Sequence, residues 1–137
     1  MSEAYASMEV SQVMTENVIT CSTEHTCRDA CIMMTENKIG AIVVVDEDYN
    51  VLGMLSERDV VSNVVAEGKD GSTLVRDAMN APAIGVQMEY TLDQVIRRMT
   101  EFRFRRLPVL RGTELVGIIS QTDMLKHYPA LIASNRW

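Results

Sequence analysis

No aliphatic run in this chain is long enough to cross a bilayer: the longest, Ala41-Ile42-Val43-Val44-Val45, falls far short of the roughly 20 residues a membrane helix requires. The opening Met1-Ser2-Glu3-Ala4 lacks the basic and apolar regions of a signal peptide. Cysteine is scarce, and its count of three is odd, which fits a reducing compartment better than a disulfide framework. These absences lead to the expectation of a cytoplasmic protein with no membrane attachment. A P-loop, a Rossmann fingerprint and a catalytic constellation are also missing, so the chain is not expected to be an enzyme. What is present is ordinary: 137 residues, 47% hydrophobic and 23% charged. A chain of this length buries about two-thirds of the surface its unfolded form exposes, so one or two small units stand without disulfides or metal staples.

The net charge of -6 divides unevenly. Residues 1–70 hold 4 Lys/Arg against 13 Asp/Glu, a net of -9, while residues 71–137 hold 9 against 6, a net of +3. An acidic total argues against bulk nucleic-acid binding, yet the second half retains the means to recognise an anion locally.

The two halves are one unit written twice. Val13-Met14-Thr15 recurs as Ala78-Met79-Asn80, Glu24-His25-Thr26 as Glu89-Tyr90-Thr91, and Met34-Thr35-Glu36 as Met99-Thr100-Glu101, all offset by 65. The offset drops to 64 at Val51-Leu52-Gly53-Met54-Leu55-Ser56, which matches Leu115-Val116-Gly117-Ile118-Ile119-Ser120. The lost residue falls in a polar, turn-forming segment between two strand-like runs, where a hairpin tolerates a length change.

Each copy reads as strand, helix, strand, strand, helix. The first strand is Val18-Ile19-Thr20-Cys21 or Ala83-Ile84-Gly85-Val86. Thr26 with Asp29, and Thr91 with Gln94, have capping-box spacing at the start of the first helix. Strands are expected over 41–45 and 51–55, and over 107–110 and 115–119, with second helices opening at Ser56 and Ser120. Val60, Val61, Val64 and Val65 form one face of the first of these, which stops at Gly68; Pro129 cuts the other short. β-Branched residues are weak helix formers, so packing against the sheet or another subunit must hold that helix. Repeats are drawn at 8–67 and 74–128, with a linker at 68–73 and a tail at 129–137. Neither copy makes a comfortable core alone, so the expected α/β (α+β) fold packs the two through their sheets about a pseudo-twofold axis.

The third strand of each copy ends in the same motif, Gly53-Met54-Leu55-Ser56-Glu57-Arg58-Asp59 and Gly117-Ile118-Ile119-Ser120-Gln121-Thr122-Asp123. A hydroxyl and a carboxylate three residues apart at a helix start make a capping box. The same groups suit a nucleotide: free amides and the hydroxyl for phosphate, the carboxylate for ribose hydroxyls. Duplication copies a cap as readily as a site, so both readings stand.

These motif ends, together with Asn37-Lys38-Ile39-Gly40-Ala41-Ile42-Val43-Val44-Val45-Asp46, Phe104-Arg105-Arg106-Leu107-Pro108-Val109-Leu110 and the leading Val-Met-Thr element, resemble a tandem cystathionine β-synthase (CBS) domain pair, or Bateman module, over residues 10–128. The resemblance implies a regulatory or sensory module that binds AMP, ADP, ATP, NAD(H), S-adenosylmethionine or a related adenosyl compound in clefts between the repeats, with no catalytic cofactor. It assigns ribose binding to Asp59 and Asp123, phosphate contact to Ser56 and Ser120, and the adenine pocket to Val18, Ile19, Thr20, Ile84 and Gly85. Basic positions before the second strand that meet phosphate fall on Arg105 and Arg106. Similar modules pair through their helices, which implies a homodimer, and a regulatory module implies an effector protein to read it.

The copies differ where phosphate would lie. Arg103, Arg105 and Arg106 stand in the second against Lys38, Gly40 and Ala41 in the first, where Arg58 is the basic candidate; Thr122 occupies the same motif position in the second copy. Arginine's planar fork suits phosphate oxygens, and strand alternation would point Arg103 and Arg105 to one side. Two other readings remain: a ligand-free dimerisation or partner-binding domain, and a nucleic-acid-binding module built on residues 97–111. Cys21, His25, Cys27 and Cys31 have spacing that could ligate zinc, but their counterparts Val86, Tyr90, Leu92 and Ile96 are apolar or aromatic, which favours core packing.

Overall fold

Both repeats fold in the order the pattern dictates. The computed structural model describes residues 3–127, so Pro129 and the 129–137 tail lie outside the described residues. In chain order, α1 (Glu3–Ala6) and a 3-10 turn (Val10–Gln12) precede β1 (Thr20–Cys21), α2 (Cys27–Asn37), β2 (Ala41–Val45), β3 (Val51–Ser56) and α3 (Glu57–Val60), which runs on into a π-helical turn (Val61–Val65). Next come α4 (Val75–Ala78), β4 (Val86–Gln87), α5 (Leu92–Phe102), β5 (Arg106–Arg111), β6 (Glu114–Ser120) and α6 (Gln121–His127). Among the described residues no helix is long and apolar enough to cross a membrane.

Each repeat makes one three-stranded sheet, ordered β1-β2-β3 or β4-β5-β6, with a parallel pair first and an antiparallel hairpin second. Capping boxes open α2 and α5 at Thr26 and Thr91, satisfying amides that a helix start leaves without partners. Both helices end in a left-handed residue, Lys38 (φ 55) and Arg103 (φ 59). On α5 the residues Leu92, Val95, Ile96 and Met99, spaced to share one stripe, are all buried.

The compact units do not follow the repeat boundaries. One consists of Ile19–Ala83, the other of Met1–Val18 with Ile84–Trp137. The segment that leads each repeat is therefore built into the unit of the other repeat. The bonds that do this are duplicated at the 65-residue offset. In one unit the Val10 amide donates to the Tyr90 carbonyl at 2.8 Å and the Leu92 amide to Met8 at 2.9 Å; in the other the Val75 amide donates to His25 at 2.9 Å and the Cys27 amide to Thr73 at 2.7 Å. Relative to repeats drawn at 8–67 and 74–128, residues 8–18 and 74–83 thus exchange places.

Each unit has its own core. Cys21, Cys27, Ala30, Met34, Ile42, Val44, Leu55, Val64, Val75 and Ala78 fill one. Val10 and Val13 join Val86, Leu92, Val95, Met99, Leu107, Val109, Ile119 and Met124 in the other. The cysteines occupy core positions, as their apolar counterparts suggest.

Two local expectations need correction. The valine stripe of the second helix divides: Val64 is buried, whereas Val61 and Val65 are 62% and 67% exposed. The π-helical turn there adds residues per turn and breaks the 3.6-residue register on which the stripe rests. Arg103 is not part of an extended segment with Arg105, because it ends α5 in the left-handed region; strand alternation therefore says nothing about where the two side chains point.

Candidate functional site

Close backbone approach explains the glycine of the recurring motif. In β3 a β-carbon on Gly53 would collide with the carbonyl oxygen of Asn80, and on β6 one on Gly117 would meet Met14 Cγ at 2.9 Å and the Thr15 carbonyl oxygen at 3.0 Å. The absent side chain lets the exchanged leading segment pair with the strand. Met54 and Asn80 exchange amide-carbonyl bonds at 3.0 and 2.8 Å, and Ile118 and Thr15 do so at 2.9 Å in both directions.

That pairing carries Asn80 and Thr15 to the two motif carboxylates. In the first copy the Ser56 amide and hydroxyl donate to Asp59 Oδ2 at 2.8 and 2.9 Å, the Asp59 amide donates to Ser56 Oγ at 3.2 Å, and Asn80 Nδ2 donates to Asp59 Oδ1 at 2.7 Å. Asp59 is only 7% exposed. In the second copy the Ser120 amide donates to Asp123 Oδ2 at 3.1 Å, the Asp123 amide returns a bond to Ser120 Oγ at 3.0 Å, and the Thr15 hydroxyl reaches Asp123 Oδ1 at 3.3 Å. Asp123 is half-buried. Both capping boxes are formed, and the second carboxylate is the more loosely held. Thr15 and Asn80 were not among the candidates read from the sequence; the signal was their equivalence at the 65-residue offset, beside a motif glycine.

Sheet register brings the basic residues to the second motif. Arg106 lies directly across the β5/β6 ladder from Ser120, and the Gln121 amide donates to the Arg105 carbonyl at 2.9 Å. The first copy has Ala41 across from Ser56 and a Glu57 amide bond to Gly40 at 3.0 Å. Gly85 packs beside Pro108, whose carbonyl oxygen would sit 2.9 Å from an added β-carbon. Gly85, Arg105, Arg106, Ser120 and Asp123 thus gather at one end of a sheet, with Thr122 exposed on the first turn of α6. Ile84 packs on the same unit's core. In the first copy Thr20 pairs with Val43, Ile19 packs on the core, and Arg58 is exposed. Val18 ends the first stretch of one unit and Ile19 begins the other.

Other arginines are already engaged. Arg98 Nε donates to the Gly85 carbonyl at 2.9 Å and its guanidinium lies 5.4 Å from the Phe102 ring centroid. Phe102 and Phe104 stack on each other at 6.3 Å. Arg97 pairs with Asp93, and Arg111 with Glu114, each at 2.7 Å. Among the described residues Arg103, Arg105 and Arg106 make no ion pair.

Burial pushes the Cys21 thiol up to about 11, with neighbouring Cys27 adding to the effect. It raises Cys27 and Cys31 as well. Thiols held protonated at neutral pH are poor nucleophiles. Among the described residues no three His, Cys, Asp or Glu side chains are grouped to hold a metal ion. A depression of about 450 Å³ lies against α2 and α3, lined in part by Cys31, Met34, Lys38, Ile39, Val60 and Val61.

A family model described as the CBS domain matches residues 10–66 and again 75–130. A protein of Methanopyrus kandleri is 33% identical over 130 residues, covering 93% of this chain and 66% of that protein, so the chain spans just under two-thirds of this relative's length. A solved CBS-domain protein from Burkholderia ambifaria superposes with a TM-score of 0.81 at 32% identity, over 95% of this chain and 98% of the other. CBSX2, solved in complex with AMP, shares the fold with a TM-score of 0.79 at 22% identity, over 90% of this chain and 98% of the other. With two family matches in tandem, and with the motif glycines, capping boxes and sheets repeated in register, the chain belongs to the CBS-domain family as a tandem pair, a regulatory module.

Proposed function

We propose that this pair is a sensor of an adenosyl ligand, one of AMP, ADP, ATP, NAD(H) or S-adenosylmethionine, and not an enzyme. The observation that carries the reading is the register of Arg106 against Ser120, the residue that caps the helix bearing the half-buried Asp123, so that basic residues and the motif carboxylate belong to one end of the same sheet. A carboxylate accepts both hydroxyls of a ribose, and arginine forks pair with phosphate oxygens. Ribose sits on Asp123, adenine along Ile84 and Gly85, and phosphate on Arg105 and Arg106 with Ser120 and Thr122. Val18, Ile19, Thr20, Ser56, Arg58 and Asp59 are the corresponding set of the first copy. The AMP complex of a protein with this fold supports the ligand class.

The ligand acts as a switch by binding one arrangement of the protein better than another, which an effector protein then reads. Exposed Ile32, Val61 and Val65 support a homodimer through the helices of the first repeat. Three free thiols and the acidic balance fit a reducing cytoplasmic setting. The nucleic-acid reading loses ground, since Arg97, Arg98 and Arg111 are engaged within the fold and Phe102 stacks on Phe104.

A thermal-shift panel with the five ligands tests the sensor reading. A ligand at about 100 times its dissociation constant adds roughly 2.7 kcal/mol, enough to move the midpoint by several degrees. If none of the five moves it, the ligand-free partner-binding reading replaces this one.

A further inference from the structure

We infer that Asn80 is a latch on the first-repeat carboxylate, so that each chain takes up one adenosyl ligand, at Asp123. This rests on the sensor reading above and adds to it which of the two equivalent sites works. To hold a ribose, a motif carboxylate must offer acceptor positions to two hydroxyls. Asp59 has few to offer: Oδ2 takes both the amide and the hydroxyl of Ser56, and Oδ1 takes the Asn80 side chain at 2.7 Å. Asn80 is held there by its own backbone, bonded in both directions to Met54, so its amide stands at a fixed place beside the carboxylate. Among the described residues Asp123 receives the Ser120 amide at 3.1 Å and the Thr15 hydroxyl at 3.3 Å. A ribose displaces a 3.3 Å contact to a single-bond rotor in the second copy, but a 2.7 Å bond from a backbone-anchored amide in the first. Both bonds end on a carboxylate, but the first copy's is short and the second copy's lies near the limit of hydrogen-bond length, a difference that separates two otherwise equal sites by about tenfold or more.

The differences around the carboxylates point the same way. Where the second copy has Arg105 and Arg106, the first has Gly40 and Ala41, with Ala41 across the ladder from Ser56. Asn80 and Thr15 occupy equivalent positions of the repeat, so the two copies carry their own exchange experiment. Replacing Asn80 by Thr gives the first copy the neighbour that the second already has, and the backbone pairing with Met54 needs no side chain.

Isothermal titration of the full chain with ATP, and separately with AMP, reads the number of sites. We expect one ligand per chain for the wild type, at least tenfold weaker binding in Asp123→Asn, and a second, weaker binding event in Asn80→Thr. That second event disappears in the Asn80→Thr, Asp59→Asn double variant, and thermal melts of all four proteins confirm that they fold. Two equivalent sites in the wild type, binding that survives Asp123→Asn, or a stoichiometry of one in folded Asn80→Thr each overturn the latch while leaving the sensor reading in place. Absence of binding to the wild type by either probe overturns the latch, and absence across the five-ligand panel removes the sensor reading itself.

Discussion

Gly53 lies so close to Asn80 that its missing β-carbon would fall on the Asn80 carbonyl oxygen, the atom that accepts the Met54 amide. At the equivalent place, Gly117 faces first the thioether of Met14 and then the Thr15 carbonyl. A thioether yields by rotating, and a hydrogen-bonded backbone does not. Gly53→Ala is therefore expected to cost about 2–3 kcal/mol and Gly117→Ala about 1 kcal/mol. Urea denaturation of the two variants checks this, and equal losses contradict the assignment.

Removing a guanidinium from the second motif should distinguish phosphate from nucleoside. Arg105→Ala and Arg106→Ala are expected to weaken ATP about 10-fold each, in line with the loss of a charge-assisted bond. Adenosine affinity should change less than threefold. Titrations with both ligands decide it; parallel losses would place these arginines away from the phosphates.

Alkaline stability should depend on Cys21. Burial raises this thiol from the model-compound value of 9.0 to about 11. The folded protein prefers the protonated form, so its contribution is complete below pH 9 and is lost as pH rises through about 11. Cys21→Val, which installs the residue of the second repeat, should flatten the fall in melting temperature between those pH values. Melts at half-unit steps measure the slope, and an unaltered slope in the variant counts against the burial argument.

Exposed Val61, which lines the depression, and exposed Val65 should matter for association rather than for folding. Val61→Asp is expected to change monomer stability by no more than about 0.5 kcal/mol, as for other exposed substitutions. It should halve the mass in light scattering. A dimer that persists undiminished would move the interface away from this face.

The sequence made the five-element order of each repeat legible because its signals are local: capping spacing at Thr26 and Thr91, an apolar run at 41–45, turn residues between strands. It also located the Ser-x-x-Asp motifs and the arginine asymmetry. The exchange of leading segments was not legible, since the Val10 and Val75 bonds join residues about 50 to 80 positions apart and no local preference encodes the choice between two nearly identical acceptors. That exchange also changes the charge division. Residues 19–83 hold 5 Lys/Arg against 11 Asp/Glu, and the remainder hold 8 against 8, so the units stand at -6 and 0 where the halves stood at -9 and +3. Glu3, Glu9 and Glu16 move to the arginine-bearing unit, so the proposed phosphate contact at Arg105 and Arg106 rests on their placement and not on an excess of positive charge.

Nesting one compact unit inside the sequence of the other sets an order on the ribosome. Every residue of Ile19–Ala83 is adjacent along the chain, so that unit has all its partners once Ala83 has emerged. The other must keep residues 8–18 waiting: the Val10 amide needs the Tyr90 carbonyl, and the Tyr5 hydroxyl donates at 2.8 Å to the carbonyl of Met124, 119 positions later. Closing a loop that long costs more entropy than closing one of 50 residues, and contacts of this separation slow folding. The inner unit therefore forms first, so a nascent chain acquires its cap at Asp59 before the matching Ser120–Asp123 cap of the outer unit can form.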